Sequence, residues 1–397
     1  MNILSFLSVS APKSLWVTLI NWIQSGVGNL GWTIILVTLL VKLVTLPLEF
    51  WVKYNNKKQT LIQQKCAPQV AKLQKKFGND RTSLNAQSQA LYKREGLDMK
   101  SGCIVMLINT ILSFAIFITF YNDLNKVSAY EAINQYEQIE TTYTQSYKQA
   151  FIDLKADDEF ITTEDVDNWF NSYNAMEAGA LKDAEYDAKK PYIEHATDVA
   201  SKKAVNTWNE NKSRSSWLWV QNIWVADSTA KAFPSYANLQ SIAKNSGYAE
   251  YVANNINQAD YDRIANLIST NTEKQNNGYY LLPILAGLVT FLSQYVSELH
   301  TKLKNKKANT MAKAAATEMG STMKVMKIVL PIIMVIFTLS ASASFGMYIL
   351  ASNISAIAFG ELSSLIINAL TRKKQLEVEE SLEKEANRLI RKGKLKG

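Results

Sequence analysis

Residues 30–50, LGWTIILVTLLVKLVTLPLEF, constrain the fold more than any other stretch of the chain. Wound as a helix, this run is apolar on nearly every face, so no single stripe of it could be turned to a core while the rest faced water. At 1.5 Å per residue it extends about 30 Å, which is the thickness of a bilayer's hydrocarbon core. It is read as a membrane span. Four further runs have the same character, at about 103–121, 279–296, 326–342 and 345–369. Backbone in lipid must satisfy its own hydrogen bonds, and runs of this length do so as helices. The expected fold is therefore all-α: a polytopic membrane protein with a five-helix transmembrane core.

Bulk composition hides this. Mean hydropathy is only −0.10 and charged residues make up 20% of the chain. The average mixes apolar ends with a polar, acidic middle, which a sliding window separates. The net charge of +8 raises the question of nucleic acid. The positive charge clusters in loops beside apolar runs, which is a membrane pattern, and DNA is not expected as a partner. The chain has two cysteines, Cys66 and Cys103, too few for a disulfide framework, and two distant histidines, His195 and His300. No cluster has metal-ligand spacing, and no GxxxxGK[ST], GxGxxG or GxSxG occurs. No cofactor, no metal and no enzymatic activity are expected.

Residues 1–29 end in an amphipathic stretch, KSLWVTLINWIQSG, with Leu15, Trp16, Leu19, Ile20 and Ile23 at helical spacing. It is too short and polar to span, and is read as an interfacial helix anchored by Trp16 and Trp22. A signal peptide fits poorly, because the start lacks Lys and Arg and no A-x-A site follows an apolar core.

Sidedness follows from Lys and Arg. The loop 53–102 holds eleven basic residues against Asp80, Glu95 and Asp98, the loop 298–325 is lysine-rich, and the tail 371–397 ends RKGKLKG. These regions belong in the cytoplasm. The segment 123–278 falls outside by alternation, giving a plasma-membrane protein with its N-terminus outside and its C-terminus inside. Residues 53–102 read as a cytoplasmic helical hairpin turning at Gly78-Asn79-Asp80, with Pro68 kinking or restarting the first arm. Residues 123–215 read as mostly helical, without a clean heptad run. Residues 216–235, with Trp217, Trp219 and Trp224, read as an interfacial belt, and 236–278 as a further helical stretch before the third span. The spans themselves occupy 30–52, 103–122, 279–297 and 326–370, the last range holding two.

Lys42 stands near the middle of the first span. Lysine at the centre of a membrane helix costs about 2.5–3.5 kcal/mol on insertion scales, so an intramembrane charge marks a functional site by default. Glu49 and Glu361 are the acids available to it, both near span ends. Thr38, Asn109, Gln294, Ser352 and Asn353 could line one hydrated cavity with it. The competing reading is that Lys42 snorkels to an interface.

These residues carry a resemblance. GWTIILVTLLVKLVTLPL resembles the first core helix of the YidC-type (YidC/Oxa/Alb) membrane protein insertases, in which a positive residue lies five before a proline. LQKKFGNDRTSLNAQSQALYKREGLDMKSGC is similar to that family's cytoplasmic hairpin. WLWVQNIW with YYLLPILAGLVTFLSQYVS resembles its third-helix region, and MKIVLPIIMVIFTLSAS with MYILASN its last pair. The resemblance covers about 15–122, 216–236 and 277–370. There are departures. The family's groove residue is usually Arg, where this chain has Lys42, which lacks the planar fork of donors. Val105 and Ile111 stand where the family's second core helix carries prolines, and its paired aromatics reduce to Tyr348 followed by Ile349. Residues 123–215 replace a short connection.

The resemblance implies an insertase that receives nascent membrane proteins in a positively charged groove and releases their helices into the bilayer. Its groove residues would be Lys42, Thr38, Asn109, Gln294, Tyr348, Ser352 and Asn353. Its partners would be nascent chains, the ribosome and the lipid bilayer, with targeting machinery and a Sec translocon as further candidates. Two other classes stay open: a transporter of ions or small solutes using Lys42 as its binding site, and a chaperone-like protein whose external domain does the work.

Overall fold

The computed structural model describes residues 9–78, 80–97, 99–154, 162–177, 179–272, 276–305 and 320–391. Among these residues there are twelve helices and no strand. They are α1 (Leu15–Val27), α2 (Leu30–Phe77), α3 (Arg81–Arg94), α4 (Met99–Asp153), α5 (Thr163–Ala175), α6 (Ala180–Ser215), α7 (Tyr236–Lys244), α8 (Ala249–Asn255), α9 (Gln258–Asn271), α10 (Leu281–Asn305), α11 (Gly320–Ser340) and α12 (Ala343–Arg391). Within α2, α4 and α12 lie stretches long and apolar enough to cross a membrane, and α10 and α11 hold shorter apolar stretches, Leu281–Val296 and Ile328–Ser340. Each of the five expected spans is carried by one helix, with residues 279–280 and 341–342 of the expected ranges falling outside α10 and α11, and the chain is an all-α, multi-pass membrane protein.

The helices overrun the expected boundaries. α2 continues from the first span through Pro47 and Pro68 to Phe77, and α4 continues from the second span to Asp153. Pro68 therefore does not restart the first arm of the hairpin. A proline removes one backbone donor but its fixed φ is helical, so a helix with polar surroundings can run through it.

The chain divides into two compact units. The first comprises Met1–Leu36, Phe120–Pro283 and Phe337–Met347. Its core is built by the distal part of α4 against α6. Gln135 donates to Ser215 Oγ, Thr207 to Thr142 Oγ1, and the Phe151 and Tyr192 rings stack at 5.9 Å, so the two helices run antiparallel. α6 buries Tyr192, Ala196, Ala200, Ala204 and Trp208, one residue per turn, and α4 buries Ala129, Ala132, Tyr136, Ile139, Tyr143, Tyr147 and Ala150 at intervals of three and four. That is a heptad-like seam, with small alanines on one side and tyrosines on the other. The sequence reading missed it because the seam is written in Tyr and Ala rather than Leu and Ile.

α7–α9 belong to the same core, through Tyr236, Leu239, Val252, Tyr261, Ile264 and Ile268. The helices of residues 236–271 thus share one core with the helices of 123–215. Val9 is buried in this core as well.

The tryptophan-rich segment is a packed loop. Trp217 and Trp224 are buried, so they are not available as interfacial anchors. Asn222 and Asn277 hold the loop from inside: both are fully buried, and Asn277 Nδ2 donates to the carbonyls of Asn222, Val225 and Ala226 while its Oδ1 accepts from Asn222 N. The buried Asp227 carboxylate accepts from the backbone of Tyr279 and Leu282, where α10 begins, and from Trp219 Nε1. A carboxylate there satisfies donors that every helix start leaves open. α1 is capped by the Ser14 side chain and buries Val17 and Ile20; its Trp16 packs edge-on against Phe120 while Leu15 and Trp22 stay exposed.

The second unit comprises Val37–Thr119, Ile284–Ile336 and Tyr348–Gly397. It holds the helical hairpin. α2 ends at Gly78, whose φ of +50° suits glycine, and Asp80 caps α3 by accepting from Ser83 N. Asn79 of the expected turn lies outside the described residues. Leu61, Cys66, Leu91 and Leu97 are buried, and Lys65 pairs with Glu95 at 2.7 Å. Burial pushes the Cys66 thiol up, which keeps it protonated. The final stretch of α12 joins this unit through buried Val378 and an ion pair, Lys72–Glu385, at 2.6 Å. This arm carries Glu377, Glu379, Glu380, Glu383 and Glu385 against Arg372, Lys373, Lys374, Lys384, Arg388 and Arg391, so over its described length the tail is of mixed charge with a slight basic excess. The basic residues beyond Arg391, and Lys306, Lys307 and Lys313, lie outside the described residues.

Candidate intramembrane site

All seven residues expected to line a groove fall in the second unit. α2 has two distinct faces. Trp32, Leu36, Leu40, Leu43 and Trp51 are exposed along one side, while Thr38 is buried and Lys42, one turn on, is half-buried. An exposed apolar stripe on a multi-pass protein is the surface that lipid covers. Trp32 and Trp51 are nineteen residues apart, about 28 Å along a helix, which matches the separation of the two membrane interfaces where tryptophan concentrates. Lys42 is nearly midway between them.

The Lys42 amine does not stay at that depth. Its ion-pair partner is Glu49, with Nζ 3.6 Å from Oε1. Glu49 is two helical turns further on, so about 10 Å of rise separates the two α-carbons and the lysine side chain must run along the helix toward Glu49. Thr45 lies between them; its hydroxyl donates to the Lys42 carbonyl at 3.2 Å and reaches Glu49 Oε1 at 3.5 Å. The charge therefore has its companion on its own helix. Seven residues is two turns, which returns to the same face, a signal present in the sequence that the sequence reading did not use.

The other expected residues sit on inner faces but are joined in smaller groups. Asn353 Nδ2 donates to Thr290 Oγ1 at 2.8 Å, which couples α12 to α10. Thr290, buried and absent from the sequence expectation, is one turn before Gln294, whose Nε2 is buried with no hydrogen-bond partner among the described residues. Tyr348 is hydrogen-bonded to Ser352, one turn on, and its ring lies 6.3 Å from Phe117 of α4. In α4 almost every residue from Met106 to Leu112 is exposed, and Asn109 is the more covered exception. The pattern of polar residues inward and apolar residues outward is that of a membrane bundle with a wet or polar interior.

The model for the 60Kd inner membrane protein family matches residues 22–180. The chain is 32% identical over 104 residues to a protein of Wolinella succinogenes named membrane protein insertase YidC, covering 26% of this chain and 19% of that one. A protein of the same name from Aromatoleum aromaticum is 30% identical over 116 residues, covering 29% and 19%. One from Fusobacterium nucleatum subsp. nucleatum is 31% identical over 105 residues, covering 26% and 49%. Over these stretches the chain is similar to the YidC family. The family-model match takes in α2, the hairpin and the membrane part of α4, and so includes the helix that carries Lys42. It spans about a fifth of the length of the first two relatives and about half of the third. No solved structure matches it.

Proposed function

We propose that the chain is a membrane protein insertase that works without covalent chemistry. The observation that carries this reading is a charged residue, Lys42, rooted at mid-depth on the covered face of α2, in a chain whose named relatives are insertases. A polar interior shared by Lys42, Thr38, Asn109, Gln294, Tyr348, Ser352 and Asn353 would admit the hydrophilic tail of a nascent membrane protein partway into the bilayer. The tail would then cross only the remaining thickness. The client's apolar helix would slide out along the lipid-facing side, and burial of its apolar surface in lipid would drive the transfer without nucleotide.

In this reading the hairpin of α2 and α3 faces the cytoplasm and receives ribosome-borne nascent chains, alone or with targeting machinery and a Sec translocon. The segment 123–278 lies outside. The experiment is depletion of the chain from its cell, complementation with wild type, Lys42→Arg or Lys42→Ala, and measurement of insertion of a small single-span client. Wild type and Lys42→Arg are expected to support insertion, and Lys42→Ala to impair clients with acidic tails most. Full insertion without the chain would overturn the proposal, and equal loss for acidic and neutral tails would make Lys42 structural.

A further inference from the structure

Glu49 has no part in the mechanism above, yet it holds the one charge that mechanism uses. We propose that Glu49 is a positioning and specificity residue: an internal counter-ion that occupies the Lys42 amine until an acidic segment of a client displaces it. The inference rests on the insertase reading and names the client chemistry it favours.

The geometry makes the case. A helical side chain ordinarily leans toward the helix N-terminus. Lys42 instead runs toward the C-terminal side to meet Glu49 at 3.6 Å, and neither side chain is sealed off, with 24% and 26% of each exposed. A lysine rooted at mid-depth is thereby drawn toward the level of Trp51, two residues beyond Glu49, where an interface lies. Held there, its charge is both neutralised in part and out of the bundle's middle. A carboxylate on an entering polypeptide can take Glu49's place, and the amine is then free to follow it inward. A neutral or basic tail offers nothing in exchange, and the pair stays closed. Glu49 thus sets a threshold: without it the amine would attract any acidic group, and with it only a segment acidic enough to compete.

Thr45 supports the arrangement. Its hydroxyl bridges the Lys42 carbonyl and Glu49 Oε1, which biases the Glu49 rotamer toward the lysine. Lys53, one turn beyond Glu49, lies against Gly360, its Nζ 3.1 Å from where a Cβ there would be, so it occupies a different contact.

The test uses the full chain in the depleted cell, with otherwise identical single-span clients bearing acidic or neutral tails. The ratio of acidic-tail to neutral-tail insertion should rise about two- to tenfold in Glu49→Gln, the range expected when a partly exposed ion pair is released. Glu49→Asp, one methylene shorter, should fall between. In the Lys42→Ala background Glu49→Gln should leave the ratio where Lys42→Ala alone puts it, because the two residues act as one unit. An unchanged ratio in Glu49→Gln, or an equal change with and without Lys42, overturns the proposal. Labelling of Lys42 by an amine-reactive reagent in detergent, read by mass spectrometry, needs no client. Labelling as slow in Glu49→Gln as in wild type also overturns it. Faster labelling in Glu49→Gln, with no insertion by any form, supports the ion pair and overturns the insertase reading instead.

Discussion

Replacing Asp227 by Ala tests how the tryptophan-rich loop is fastened to the start of α10. Asp227 is 1% exposed and accepts from Tyr279 N at 2.8 Å, Leu282 N at 2.6 Å and Trp219 Nε1 at 3.2 Å. Alanine leaves the two backbone donors without an acceptor. A buried, unsatisfied donor costs about 1–3 kcal/mol, so the pair sums to about 2–6 kcal/mol of local stability. At about 1.4 kcal/mol per factor of ten, local opening should become about 30- to 20,000-fold more frequent. Asp227→Asn keeps one oxygen and should cost roughly half as much, about 1–3 kcal/mol. The assay is amide hydrogen exchange by mass spectrometry on the protein in detergent. Residues 216–235 and 277–283 should lose protection in Asp227→Ala, while the α4–α6 seam keeps it. Gly278→Ala should act in the same direction, because a Cβ there would collide with the Asp227 carboxylate. Exchange in the loop within about threefold of wild type for Asp227→Ala would refute the assignment, since even the loss of one such hydrogen bond exceeds that.

Trp208→Ala should destabilise the helical domain by about 3–5 kcal/mol, and Ala200→Leu by about 1–3 kcal/mol through overpacking of the alanine stripe, both read from thermal melts in detergent. The Glu131 carboxyl is pushed up to about 7 by burial, with Arg214 pulling it partly back. The folded domain therefore holds a proton that the unfolded chain has lost once pH exceeds the ordinary carboxylate value, and stability should fall as pH rises from about 4.5 to about 7. Glu131→Gln should flatten that slope in melts between pH 5 and 8. Lys72→Glu and Glu385→Lys should each loosen the α12 arm from the hairpin by only about 0.2–1 kcal/mol, because the lysine end of the pair is exposed to screening by water, and the double reversal should restore it. Cross-linking between cysteines placed on the arm and on α3 measures this, with high salt expected to mimic either single change.

The spans were legible because nothing except lipid accommodates runs apolar on all faces, and the hairpin because Gly78 and Asp80 write a turn and a cap into the chain. Lys42 was legible for the same reason as the spans: a charge in a hydrocarbon-length run stands out by its cost alone. Its partner was harder. An acid in another span was the natural expectation, and Glu49 was set aside as an end residue, although two turns of helix bring it back to the same face.

What the sequence could not supply was which faces meet. Tyrosine and alanine carry too little hydrophobic contrast for the α4–α6 seam to stand out by periodicity, and only packing turned those residues inward. Trp217 and Trp224 have the composition of an interfacial belt, but Asn222, Asn277 and Asp227 fold them into a buried loop, through hydrogen bonds spanning more than fifty residues. Likewise the coupling of Thr290 to Asn353 joins positions sixty-three residues apart. Local pattern determined where helices lie and which of them enter lipid, because that depends on neighbours along the chain. Contacts between distant segments decided the seam, the loop and the polar pairs, because those depend on neighbours in space.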